Sequence, residues 1–507
     1  MPRPMLASLR ILAAAILPWS GIASAQLSAS PVETVIIDAK APATPLPHFW
    51  EQMFGSGRAI LSLRDSYRSD LRKVKQATDF RYIRFHAILH NDVGVYDEDK
   101  SGTAVYNFSY VDQVYDGLLA NGVRPMVEIS FMPRRLASDP SAIHPFWYHP
   151  NVSPPKDYAK WDALMRTFAE HLVERYGIDE VSQWYFEVWN EPNIDFWAGA
   201  PKQATYFEFY GHTAADLKSV SPRLRVGGPA TAAADWVPEF LDYCAKHNIP
   251  VDFVSTHGYA DDTVENLFHT HENVPMDDRV CRAIGRVHQQ ILASATPKLP
   301  LMWTEWNVPS FGDVKARDTI YVGPALANDV RECDNLVTMM SWWTFDDVFE
   351  EDGPVKQPFY GGFGLIAAGG IRKPSFNAFA LLHGLGEERI ANPATDVLVT
   401  RRRDGTLVIA VWNLADPDKQ GIAKTVKLEV SGVNPVGAAR LSRLDAAHGN
   451  TLAAYEAMGK PRYPTQVQVA QLNQAAELPA PEQVALSNGQ LTIHVGVDGL
   501  VIVEVPR

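Results

Sequence analysis

The chain has 507 residues, of which 46% are hydrophobic and 10% aromatic, so it can bury a sizeable core and is not a disordered protein. Its formal charge of −13 argues against nucleic acid or anionic lipid as partner. That length exceeds one ordinary domain and suits a barrel of about 250 to 350 residues with a smaller companion.

Residues 1–25 read as a cleaved secretory signal. Arg3 and Arg10 precede or flank an apolar stretch from Ile11, and Ala23-Ser24-Ala25 supplies a small-x-small cleavage pattern. Pro18 and Gly21 interrupt that stretch, which is too short to span a bilayer. The expected location is periplasmic or secreted, with no membrane contact. Residues 26–46 contain "ETVIIDA", an alternating run expected to join a β-sandwich formed further along the chain.

Apolar runs and amphipathic segments then alternate. Strands are expected at 49–55, 80–86, 124–131, 182–190, 224–229, 251–257, 299–306 and 335–343. Helical periodicity falls between them near 66–78, 109–121, 157–176, 203–219, 235–247, 277–293, 317–331 and 375–384. Eight strands, each followed by a helix, make an α/β fold with a (β/α)8 TIM barrel over 47–386. From 387 to 507 the texture changes to alternating runs such as "VLVTRRRDGTLVIAVWNL" and "LTIHVGVDGLVIVEV". The Asp-Gly turns between them are hairpin chemistry and predict a β-sandwich accessory domain. The stretch 444–485 interrupts that pattern and is expected to fold back over the barrel.

Only Cys244, Cys281 and Cys333 occur, and buried free thiols are expected, with Cys244 to Cys281 the favoured pair if a bridge forms. The alternating His269 and His271, with His288, lack further ligands for a metal site. Neither a metal nor a cofactor is expected, and no feature fixes the oligomeric state.

Polar residues gather where barrel strands end, which is where such barrels carry their active sites. Strand two ends Arg84-Phe85-His86, and strand four ends "WYFEVWNEPN" with Asn190 and Glu191. Strand six ends His257-Gly258-Tyr259, strand seven Thr304-Glu305-Trp306-Asn307, and strand eight Trp342-Trp343 followed by "FDDVFEE". A carboxylate at the end of a buried strand is costly unless it has partners or a task. Two of them, Glu191 and Glu305, facing each other across a barrel mouth are the machinery of glycoside hydrolysis.

The motifs "WYFEVWNEPNIDFW", "RYIRFHAILHND", "STHGYA", "LMWTEWN", "GSGRA" and "SWWTFDDVFEE", in this order and on these strands, resemble those of glycoside hydrolase family 39. This is the β-xylosidase family within the clan of retaining barrel glycosidases. The likeness covers residues 47–385 most strongly, and the tail fits the family's accessory domain. It implies that Glu191 is the acid/base and Glu305 the nucleophile. It implies further that Asn190 holds the sugar's 2-hydroxyl, that His257 and Tyr259 orient the nucleophile, and that His86, Glu350 and Glu351 bind the remaining hydroxyls. Trp343 is expected to give the flat apolar platform for a pyranose ring.

The expected activity is therefore that of an exported retaining exo-glycosidase, a β-D-xylosidase acting on small oligosaccharides by way of a covalent glycosyl-enzyme. The alternatives are another sugar in the same pocket, as in an α-L-arabinopyranosidase, an iduronidase or an exopolysaccharide hydrolase, and a non-catalytic carbohydrate-binding barrel.

Overall fold

A computed structural model describes residues 32–309, 316–415 and 421–507; the signal-like segment 1–25 lies outside them. Eight parallel strands close a barrel: β1 Met53–Gly55, β2 Tyr82–Phe85, β3 Arg124–Ile129, β4 Tyr185–Val188, β5 Arg225–Thr231, β6 Phe253–His257, β7 Leu301–Trp306 and β8 Met339–Trp342. Neighbours in sequence are neighbours in space, and β8 closes on β1 with Ser341 opposite Met53. The eight principal helices are α1 Asp65–Thr78, α2 Ser109–Leu119, α3 Tyr158–Tyr176, α4 Lys202–Val220, α5 Val237–His247, α6 Met276–Ala293, α7 Val322–Glu332 and α8 Pro374–His383. The fold is the expected (β/α)8 barrel.

Strand alternation sorts the barrel interior into layers. At the base, Met53, Met126, Phe253, Met302 and Met339 form an apolar plug beside Tyr82 and Tyr185. Two residues further along the strands the interior is charged, with Arg84, Glu128 and Glu187 all buried. Above them lies the mouth. The ladder is irregular there, shifting between Thr256 and His257 so that His257 pairs with Glu305. Such a shift re-aims side chains next to a site.

Residues 388–505 supply most of two further sheets, one of seven strands and one of three, which enclose a separate apolar core including Val399, Ile409, Leu428, Ile493 and Val503. The N-terminal strand Val32–Asp38 lies in the smaller sheet, parallel to Lys424–Ser431. The interrupting segment forms two helices, Thr451–Ala457 and Gln466–Ala475. Their Tyr455 and Leu472 pack on Phe359, Ala367 and Ile371, and Asn377 of α8 donates to the Ala476 carbonyl at 2.7 Å.

The cysteines correct the expectation. Cys281 of α6 is bridged to Cys333, which follows α7, and Cys244 is the free, buried thiol. Helices α6 and α7 are packed neighbours, a proximity that comes from barrel topology and not from spacing along the chain.

Candidate active site

The charged layer is organised around Arg84, which is fully buried. Its Nε donates to Glu187 at 2.5 Å, one Nη donates to Asn190 Oδ1 at 2.9 Å, and the other to Glu305 Oε1 at 2.6 Å. Glu128 lies 2.8 Å from the same guanidinium. One buried cation cannot balance three carboxylates, and His86 supplies a second. Its Nδ1 is 2.6 Å from Glu128 Oε2, and although burial opposes the charge, the pull of Glu128 raises its pKa to about 9. His86 is therefore an imidazolium at neutral pH. Glu128 is in turn held below the usual carboxylate range by His86 and Arg84 in spite of its burial. A network of this kind is tolerated in a barrel interior because each charge has a partner in direct contact.

Glu305, at the end of β7, takes its second support from Tyr259, whose hydroxyl donates to Oε2 at 2.6 Å. Arg84 on one oxygen and Tyr259 on the other clamp this carboxyl from both sides. Glu191 is in the opposite situation. It sits just beyond β4 in the left-handed region at φ 44°, as does Trp189 at φ 73°, and its N–H donates to the Ala230 carbonyl at 2.8 Å. A non-glycine residue pays for such a backbone, and these conformations cluster at functional sites. Burial lifts the Glu191 carboxyl to about 7; His86 and Arg84 oppose the rise and Glu128 adds to it. The like charge that contributes is thus Glu128 in the layer below.

His257 stands beneath both glutamates. Its Nδ1 is 3.1 Å from Glu191 Oε1 and 3.6 Å from Glu305 Oε1. Burial lowers its pKa to about 4, so it is neutral, and two facing carboxyls favour the tautomer with the proton on Nδ1. It touches Glu191 more closely than Glu305, the residue it was expected to orient. One side-chain atom from each of Glu191, His257 and Glu305 lies within 4.8 Å of the others. Three such groups could in principle hold a metal ion, but the Arg84 guanidinium on Glu305 already provides the positive charge, which disfavours a further cation there.

These groups open on a cavity of about 520 Å³. Of the residues the sequence singled out, His86, Asn190, Glu191, Tyr259, Glu305, Trp343 and Glu351 line it. Trp343 faces the cavity while its neighbour Trp342 packs between barrel and helices against Trp306 and Phe379. Gly55 is required beneath Trp343, because a Cβ there would collide with the indole ring. Glu351 lies 3.5 Å from His86 Nε2, and burial pushes its carboxyl up to about 8 against the pull of His86. At neutral pH it is a hydrogen-bond donor as well as an acceptor.

Glu350 departs from the expectation. Its carboxylate is not on the cavity but is held by Arg64 at 2.5 and 3.1 Å and faces Arg58 at 3.5 Å. Its backbone is left-handed, at φ 61°, so the two consecutive acids diverge and only Glu351 reaches the mouth. Trp147 is 53% exposed and stacks over Gly353 outside the cavity. His288 bonds the Leu336 carbonyl and His269 faces Asp235; with His271 they form no ligand cluster among the described residues. Unanticipated residues of the wall include Phe146, Phe196 and Phe363, from irregular loops with no period to read, and Arg317, which sits in a short 3-10 turn where the expected helix was to begin. Arg317 is paired with Asp261 at 3.1 Å.

Paired carboxyl groups at the ends of β4 and β7 of a (β/α)8 barrel, one clamped by donors and the other lifted by burial to about 7, define a glycoside hydrolase. Sequence comparison agrees. The family model described as "Glycosyl hydrolases family 39" matches residues 33–491, and the chain belongs to that family. A protein named β-xylosidase from Geobacillus stearothermophilus is 37% identical over 471 residues, covering 90% of this chain and 92% of that one. Another β-xylosidase, from Caldicellulosiruptor saccharolyticus, is 36% identical over 466 residues, covering 89% and 93%. Among solved structures, a monomeric β-xylosidase from Caulobacter crescentus superposes with a TM-score of 0.84 at 34% identity, covering 94% of this chain and 99% of that one.

Proposed function

We propose that this glycoside hydrolase is an exported, retaining β-D-xylosidase that releases xylose from the non-reducing end of xylo-oligosaccharides. Glu305 attacks the anomeric carbon while Glu191 gives its proton to the glycosidic oxygen, and the aglycone leaves as an alcohol. Glu191, now ionised, takes a proton from water, whose oxygen displaces Glu305 and regenerates both groups. The observation that carries this assignment is the contrast between the two environments. Arg84 and Tyr259 clamp both oxygens of Glu305, whereas burial lifts the Glu191 carboxyl to about 7. The separation supports the retaining form: an oxygen of each glutamate falls within 4.8 Å of the other, close to the roughly 5–5.5 Å between carboxyls in retaining enzymes and short of the roughly 6.5–9.5 Å that leaves room for water.

The sugar is inferred from the relatives named β-xylosidases and from the cavity wall beside Glu305. His86, 3.9 Å from Glu305, meets Glu351 there and packs against Trp343, an arrangement that suits exo action on a sugar with no substituent beyond C5. Arg317 is the cation a sugar carboxylate would seek, but Asp261 neutralises it, which favours an uncharged sugar over a uronic acid. α-L-Arabinopyranosides differ from β-D-xylopyranosides only at C4 and are expected as secondary substrates. Export is supported by the signal-like opening of the chain and by the Cys281–Cys333 bridge, since disulfides persist in oxidising compartments. The test is kcat/KM for 4-nitrophenyl β-D-xyloside, α-L-arabinopyranoside and β-D-glucoside. The xyloside is expected to exceed the glucoside by more than the about 10- to 200-fold that one misplaced methylene provides, and a preference for the glucoside would overturn the sugar assignment.

A further inference from the structure

On the opposite side of the barrel from the mouth, a second cleft of about 830 Å³ runs along the boundary with the β-sandwich. His48, Glu51 and His383 come together on its wall. Glu51 Oε1 is 2.9 Å from His48 Nδ1 and 2.8 Å from His383 Nδ1. Glu51 is 3% exposed, yet its Oε2 has no hydrogen-bond partner, nor does the buried Nε2 of His48. A buried carboxylate with one oxygen shared by two imidazoles and the other unpartnered is a costly arrangement for structure alone. Nothing in the hydrolytic site uses it.

From this convergence we infer that His48, Glu51 and His383 form a zinc site. Two imidazoles and one carboxylate are a donor set zinc takes readily, with water from the open cleft completing a tetrahedron. Ligand arms of about 2.0–2.1 Å require roughly 3.4 Å between donor atoms. The present Glu51 to Nδ1 separations reach that by a shift of about half an ångström per group, and all three donors already lie within 4.8 Å. Stacking of His48 on Trp50, with ring centroids 4.5 Å apart, limits one ligand's motion, whereas the His383 side chain is 42% exposed and can adjust. The competing cation Arg402 is turned away toward Glu504 at 2.9 Å.

The site would join the start of the barrel to its end. His48 precedes and Glu51 ends the 3-10 turn Phe49–Glu51 that leads into β1, and His383 is the last residue of α8. Zinc bound there would tie the seam where β8 closes on β1, stabilising the native state in proportion to the logarithm of its concentration. A separation of 335 positions between the two histidines hides the cluster in the sequence.

The experiment is calorimetric titration of the untagged, EDTA-treated full chain with zinc chloride alone, together with thermal unfolding at increasing zinc. One zinc per chain and a rising unfolding midpoint are expected. H383A and the H48A/H383A double variant should weaken binding by at least about tenfold, and E305Q should bind as the wild type does. No binding at micromolar zinc, binding that survives H48A/H383A, or binding lost in E305Q would overturn the inference, the last by moving the metal to the hydrolytic site.

Discussion

Tyr259 donates its phenolic proton to Oε2 of Glu305 across 2.6 Å, directly opposite the Arg84 guanidinium on Oε1 at 2.6 Å. The nucleophile assigned to Glu305 is thus aimed, because donors on both oxygens leave the carboxylate little rotational freedom. Tyr259→Phe removes one donor without changing shape. A hydrogen bond to a charged group is worth about 1.5–3 kcal/mol, so kcat/KM for an aryl xyloside is expected to fall by about 10- to 100-fold. Steady-state kinetics with circular dichroism as a check on folding will measure it, and an unchanged kcat/KM would remove Tyr259 from the mechanism.

The protonation of Glu191 sets a pH limit with a definite sign. Burial holds its carboxyl at about 7, and only the protonated form can donate to the leaving oxygen, so activity is lost as pH rises through that value. The alkaline limb should be steep for xylobiose, which leaves as a poor alcohol, and shallow for an activated aryl xyloside that needs little protonation. His86 lowers the Glu191 pKa through its charge, so His86→Ala should move the limb to higher pH even as it reduces the rate. A limb that moves to lower pH would contradict the stated cause.

Glu350 and Glu351 are adjacent in sequence and differ in placement. Glu351 lines the cavity beside His86, whereas Glu350 is held by Arg64 and Arg58. Glu351→Ala is expected to lower kcat/KM for xylosides by about 100-fold or more, since a site built around a hydrogen bond to the sugar loses that order when it is removed. Glu350→Ala should leave kcat/KM within a few-fold and lower stability by about 1 kcal/mol or less, since Arg58 keeps Asp92 and the Arg64 side chain is half-exposed. Equal kinetic losses would mean that both acids meet the substrate.

The bridge between Cys281 and Cys333 spans a sequence separation of 52. Constraining a loop of that length in the unfolded chain stabilises the native state by about 2–4 kcal/mol. Cys281→Ser with Cys333→Ser should therefore lower the thermal unfolding midpoint while leaving kinetics at 25 °C unchanged, because neither cysteine lines the cavity. A midpoint equal to that of the wild type would indicate that the bridge contributes nothing to stability.

Much of the barrel was legible because its strands are short apolar runs separated by amphipathic helices, and the polar residue that ends a run announces the mouth. Asn190 with Glu191, and Glu305, stand out for that reason. Glu128 and Glu187 do not, since each is a single acid inside an apolar run. Their meaning appears only when β2, β3 and β4 are side by side and Arg84 reaches all of the partners at once. The divergence of Glu350 from Glu351 depends on one left-handed backbone angle, and the Cys281–Cys333 pairing on the packing of α6 against α7. Neither is a property of local sequence. The aromatic wall from Phe146, Phe196 and Phe363 belongs to loops that only the barrel brings together.

The assignment of Glu305 as nucleophile and Glu191 as acid/base stands most directly on the stereochemistry of hydrolysis. Proton NMR of the first-formed sugar from a β-xyloside, recorded before mutarotation, reads it. The two-step displacement predicts that β-xylose appears first and the α-anomer only later by equilibration. Early appearance of α-xylose would mean a single displacement by water, and would contradict a covalent intermediate on Glu305.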